Sequence, residues 1–231
     1  MHPFDRPVRK FKDLFRSGPA QVSDESRPKD GAQGLQPLNL SSRLFSKVFW
    51  EAMLQPSMRW QEQRTTLIRE LGALDELRAL ADYNTGSITT AAAWCLYCVT
   101  RHFRPMRVLE VGTFIGKSTW SMAAAMDHAK VGDGEIRTCD KSNGIDVPWQ
   151  GATRIVQHKH TASSDMMSGL DGSFDLVHLD GRLVDADLPL LGRLLSHEAV
   201  VALDDFEGIE KGVAKLMTLR AAGLQRDHLL V

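Results

Sequence analysis

The 231 residues carry 28 Lys and Arg against 29 Asp and Glu, a formal net charge of −1, so no basic excess points to a nucleic acid or an anionic membrane surface as partner. A chain of this length buries one α/β core with room for a helical extension. No apolar run approaches the roughly 18 residues of a membrane span, the N-terminus lacks the apolar core of a signal peptide, and three cysteines, an odd number, make no disulfide framework; together these predict a reduced, cytoplasmic protein.

Residues 1–40 begin with basic and aromatic residues (Phe4, Phe11, Phe15), turn rich in Gly, Pro, Ser and charge, and read as a flexible segment. Residues 41–81 read as a helical extension. Leu44 to Met58 has the look of a short helix broken near Pro56, and from Trp60 to Ala81 the residues Leu67, Leu71, Leu74 and Leu77 recur at helical spacing. Such a stripe needs an apolar partner, either the main domain or a second subunit. Residues 82–231 then alternate strand and helix signals. Asp82 to Thr89 is a turn, with Ser87 or Thr89 placed to cap a helix from Thr90 to His102. Cys95 and Cys98 fall inside that apolar helix with no second pair to complete a zinc site, so they read as buried thiols.

The chain is organised around Arg107 to Thr119. Val108 to Val111 reads as a short buried strand interrupted by Glu110; Gly112 and Gly116 follow, then a helix from Ser118 to Ala129 with an apolar face of Trp120, Ala123, Ala124 and Met126. A strand passing through a glycine turn into a helix brings backbone close to a nucleotide-like ligand. Glycine leaves room for that approach and permits positive φ. Glu110, at the ligand-binding end of the strand, suits an amine or hydroxyls and repels a phosphate. Gly116-Lys117-Ser118 imitates the end of a phosphate-binding loop, but that loop needs four residues between its glycines and three stand here.

Glu135 to Asp140 reads as the second strand, ending in a carboxylate where Rossmann-like folds hold ribose hydroxyls; a carboxylate accepts from both hydroxyls at once. Cys139 reads as core. Thr153 to His158 is the third strand. His158 and His160 share its spacing but lack a third ligand nearby and read as structural. Phe174 to Gly181 and Ala199 to Phe206 are strands four and five, joined through a helix marked by Val184, Leu188, Leu191 and Leu195. A right-handed crossover makes these strands parallel, so Asp180 and the pair Asp204–Asp205 meet at one edge. Carboxylates gathered in a cleft raise one another's pKa unless a cation neutralises them, and oxygen donors of this kind suit Mg²⁺ or Ca²⁺. A helix from Ile209 to Ala222 and about one strand from Gln225 to Val231 complete the chain.

Glu110-x-Gly112-x-x-x-Gly116 resembles the first motif of class I methyltransferases that use S-adenosylmethionine, and LEVGTFIGKST with strand-four Leu179-Asp180-Gly181 and strand-five Leu203-Asp204-Asp205 resembles the metal-assisted O-methyltransferases of catechol, caffeoyl-CoA and macrolide-sugar type. The resemblance implies a Rossmann-like α/β fold, a doubly wound and mostly parallel sheet with helices on both faces, behind the N-terminal helical extension. It implies S-adenosylmethionine as cofactor, bound by Thr85, Gly86, Ser87, Glu110, Gly112, Phe114, Gly116, Ser118, Asp140, Ala162, Ser163 and Asp180. Asp180, Asp204 and Asp205 would hold Mg²⁺, and Asp180 with His178 are the candidate catalytic residues. The expected reaction is O-methylation of a small molecule, a sugar or phenol of secondary metabolism, by an enzyme that forms a homodimer.

Two departures stand out. The catechol-type lysine base three residues after the strand-four aspartate is Leu183 here, and the second aspartate of the sugar enzymes' D-G-D is Arg182. No general base carries over, and the chain has residues for one closing strand where the family uses a hairpin. An NAD-dependent oxidoreductase, which would need a G-x-G-x-x-G turn where Phe114 stands, and a cofactor-binding scaffold without turnover are the alternatives.

Overall fold

A computed structural model describes residues 58–81, 83, 86–204, 212–224 and 227–230. The flexible segment expected over residues 1–40 lies outside them, as does the helix expected from Leu44 up to its last residue, Met58. The elements are α1 (Met58–Leu74), a 3₁₀ turn (Asp75–Leu80), α2 (Thr90–Phe103), β1 (Arg107–Val111), α3 (Lys117–His128), β2 (Glu135–Asp140), β3 (Arg154–Lys159), α4 (Ser163–Ser168), β4 (Phe174–Leu179), α5 (Asp187–Leu194), β5 (Leu195–Leu203), α6 (Ala214–Ala221) and β6 (Asp227–Leu230).

The sheet runs β3-β2-β1-β4-β5-β6, and every pairing is parallel. Strands covered on both faces need no polar alternation, which is why β1, β4 and β5 read as short apolar runs. One face carries Val108, Ile136, Leu176, Val200 and Ala202 against Leu67, Leu71 and Leu74 of α1 and the inward residues of α2 and α3. The other carries Leu109, Val111, Val177, Leu179, Val201 and Leu203 against α4, α5 and α6. The leucine stripe of α1 is thus satisfied within its own domain. Successive strands leave β1 in one direction as far as β3 and resume on its other side with β4. The carboxyl ends of β1 and β4 therefore border a topological switch point, where such sheets bind ligands.

Local chemistry sets the boundaries. Thr89 caps α2 by accepting the Ala92 amide at 3.2 Å. The extension helix relaxes into its 3₁₀ turn after Leu74, short of the expected Ala81. The helix expected across Val184 to Leu195 is shorter than its apolar spacing suggests: Val184 is exposed, and Leu195 already begins β5. The cause is Asp187, wholly buried, whose carboxylate accepts the Val184 amide at 2.8 Å and the Ser163 hydroxyl at 2.9 Å and so ties the preceding turn shut. The short α4 has no periodicity to announce it. Among the described residues the closing strand is β6, parallel to β5, and no helix is long and apolar enough to cross a membrane.

Candidate functional site

The glycine loop leaves β1 beside β2 and β4. The amides of Gly112 and Thr113 both donate to the Cys139 carbonyl, at 2.9 and 3.2 Å. Gly112 has φ +101°, and a Cβ there would stand 2.7 Å from the Gly181 nitrogen and 3.2 Å from the Asp180 Cβ. Gly116 has φ +79°, and a Cβ there would meet the Val147 side chain at 2.6 Å. Both positions need glycine, but the space a side chain would take belongs to neighbouring chain rather than to a ligand. Phe114 also has positive φ. The loop is pinned by the buried Asn143, whose Nδ2 donates to the Phe114 carbonyl at 2.8 Å, and by a 2.6 Å bond between the Thr113 and Thr138 hydroxyls.

Glu110 requires a correction. Strand alternation turns its side chain toward α3, where it is 0% exposed, accepts the Thr119 hydroxyl and lies 3.1 Å from His178 Nδ1. It braces the loop from beneath and does not line the crevice. His178, its register partner on β4, is equally enclosed. Burial pulls the imidazole pKa down, but the hydrogen bond and charge of Glu110, joined by Asp180 and Asp204, carry it above its ordinary value. Its Nε2 has no hydrogen-bond partner among the described residues. An imidazole sealed in a strand is a positioning group, in contrast to the candidate catalytic residue of the sequence reading.

Asp140 sits at the end of β2, nearly buried, with the Phe114 amide on Oδ2 at 2.8 Å and the Ser142 amide on Oδ1 at 2.8 Å. The Thr161 amide bonds the Asp140 carbonyl at 2.9 Å, which brings Ala162 and Ser163 to the same edge. The Ser163 hydroxyl, however, is taken by both oxygens of Asp187 at 2.9 Å. Ser118 is buried in the first turn of α3. Gly86 and Ser87 precede α2, and Thr85 lies outside the described residues.

The amides of Asp180 and Gly181 donate to the Val111 carbonyl at 3.0 and 2.8 Å, and that of Asp204 to the Leu179 carbonyl at 3.2 Å. Gly112, Asp140 and Asp180 are thereby gathered around the switch point, with Asp204 one strand further. Asp205 lies outside the described residues, and among the described ones no group of three His, Cys, Asp or Glu side chains forms a metal cluster.

Two residues at this edge escaped the sequence reading. Lys215 of α6 is buried and donates from Nζ to the carbonyls of Leu179 and Asp180, at 2.8 and 3.0 Å; its signal is a lysine four residues before Leu219 on a core-facing stripe. Tyr83 donates to Asp140 Oδ2 at 3.0 Å, a contact with no local signature. Elsewhere, Lys117 pairs with Asp75 at 2.6 Å. Cys95, Cys98 and Cys139 are free thiols; burial pushes Cys95 up to about 11.

A parallel sheet of this order, a glycine loop after its central strand and an acidic residue closing the next are the parts of a Rossmann-like fold. Residues 109–206, less than half of the chain, match a family described as a methyltransferase domain. No curated protein matches it significantly. Among solved structures, the O-methyltransferase TomG from Streptomyces achromogenes, involved in tomaymycin synthesis and seen with S-adenosylmethionine, is 21% identical with a TM-score of 0.46, over 57% of this chain and 62% of that one. An O-methyltransferase from Bacillus cereus in complex with S-adenosylhomocysteine is 15% identical with a TM-score of 0.46, over 67% and 69%. The Podospora anserina methyltransferase PaMTH1, with S-adenosylhomocysteine bound, is 14% identical with a TM-score of 0.41, over 87% and 70%. The chain thus spans less than two thirds of the length of TomG.

Proposed function

We propose that the protein transfers a methyl group from S-adenosylmethionine to a hydroxyl of a small molecule, a sugar or a phenol, with Mg²⁺ assisting at Asp180 and Asp204 and with Asp205 as a further ligand. The observation that carries this reading is Asp140, held by two loop amides at the switch point beside Gly112 and Asp180. Bound there, S-adenosylmethionine supplies an electrophilic methyl group, and a divalent cation makes a nearby hydroxyl more acidic.

The chain's own residues do the positioning. Asp140 accepts ribose hydroxyls, and the amides on it keep the carboxylate aimed. The glycine loop, braced by Glu110, Thr119 and His178 below and Asn143 above, holds the cofactor's backbone contacts at fixed distance. Lys215 anchors the carbonyl end of β4 and with it Asp180. Methyl transfer needs its three atoms in line, and rigid placement of both partners supplies much of the rate. Calorimetric titration with S-adenosylmethionine, with Mg²⁺ and with EDTA, tests the reading: we expect micromolar binding that Asp140→Ala abolishes. Absence of binding to the intact chain under every condition overturns it.

A further inference from the structure

Asp140 is more crowded than a vacant ribose acceptor should be. Oδ1 takes the Ser142 amide, while Oδ2 takes both the Phe114 amide and, at 3.0 Å, the Tyr83 hydroxyl. A carboxylate offers about four acceptor positions, two on each oxygen. Oδ2 is therefore full, whereas a ribose diol bound across both oxygens needs one position on each. The two amides belong to the glycine loop and to the turn after β2, and cannot withdraw without undoing them. The phenol comes from a separate segment and can.

That segment lies along the glycine loop. At its start, Asp75 pairs with Lys117 in the first turn of α3 at 2.6 Å. Further on, Leu77 and Ala81 pack on the cluster of Phe114, Ile115 and Ile145, and the Arg78 guanidinium stands 5.8 Å from the Phe114 ring. The Tyr83 ring lies 5.2 Å from that of Phe114, tilted by 33°. Burial, reinforced by the Asp140 charge, raises the phenol pKa, so it stays protonated and donates.

We propose that Tyr83 is a latch on the cofactor site: its hydroxyl fills the Asp140 acceptor that a ribose diol must claim, and cofactor entry requires its release. The proposal rests on Asp140 being the ribose acceptor. Ring packing on Phe114 holds the latch near its post, so the exchange trades one hydrogen bond for another while the 3₁₀ turn keeps its salt bridge. A ligand presenting a single hydroxyl can use the open position on Oδ1 and leave the latch in place.

The test is titration of the full chain and of Tyr83→Phe with S-adenosylmethionine, with thermal unfolding as a check on folding. Phenylalanine keeps the ring contact and removes only the hydroxyl. The latch predicts tighter binding in the variant, on the order of tenfold, through a faster association rate. Unchanged or weaker binding in Tyr83→Phe, with wild-type binding still abolished by Asp140→Ala, overturns the latch and leaves the cofactor reading standing. Absence of binding to both proteins overturns the cofactor reading and the latch with it. As a second readout, Tyr83→Phe should favour adenosine more than it favours 2′-deoxyadenosine, and equal gains for both overturn the latch.

Discussion

Replacing Gly112 with alanine probes the closest backbone approach in the candidate site. At φ +101° an alanine sits outside the regions L-residues occupy readily, which costs about 1–3 kcal/mol. Its Cβ would stand 2.7 Å from the Gly181 nitrogen, a backbone atom, and 3.2 Å from the Asp180 Cβ. Neither is the end of a flexible side chain, so relief requires moving the turn after β4; overpacking of this kind adds about 1–3 kcal/mol. The sum, about 4 kcal/mol, lowers the melting temperature by about 8–16 °C in a domain of this size. Gly72, within α1, is the matched control, because nothing lies within 4 Å of its added Cβ and its φ is not positive. Gly72→Ala should stabilise by about 0.5–1 kcal/mol through helix propensity. Urea unfolding of both variants beside the wild type measures the difference. A Gly112→Ala loss below about 1 kcal/mol would show that the turn yields freely, and the argument that β4 dictates this glycine would fail.

Two further outcomes concern the N-terminal elements. Leu71 of α1 is 1% exposed in the main core, so Leu71→Ala should cost about 2–5 kcal/mol in the same assay, whereas a loosely attached helix would show almost no change. Asp75 is pushed up by burial, but its bonds and charge interactions with Lys117 and Arg78 prevail and hold its carboxyl below the ordinary value of 3.8. A depressed folded pKa contributes stability that is present above the unfolded pKa and lost as pH falls through the folded one. The stability gap between wild type and Asp75→Asn should therefore hold from neutral pH to about 4 and close below it; a gap that persists at lower pH contradicts the assignment.

Much of the fold was legible because a doubly covered parallel sheet writes its strands as short apolar runs. Glu135–Asp140 is recovered from the sequence residue for residue, and the cap at Thr89 follows from the same local chemistry. Legibility fails at α5, where leucines at helical spacing extend into β5 and the buried Asp187 ties down the turn before the helix through Val184 in that turn and Ser163 on α4. It fails again at α4, which is too short to show a period.

For the site, local sequence was enough to place a glycine loop after β1 and a carboxylate after β2, since turn geometry and strand ends are properties of a few consecutive residues. The direction of Glu110 and the partners of Asp140 and Asp180 were decided by tertiary structure alone. Strand order brings His178 beside Glu110 across 68 residues, α6 lays Lys215 on the Asp180 carbonyl across 35, and the segment before α2 sets Tyr83 on Asp140 across 57. Periodicity tells which way a side chain faces relative to its own element. It carries no information about which distant element will stand opposite, and that is settled only when the sheet assembles around β1.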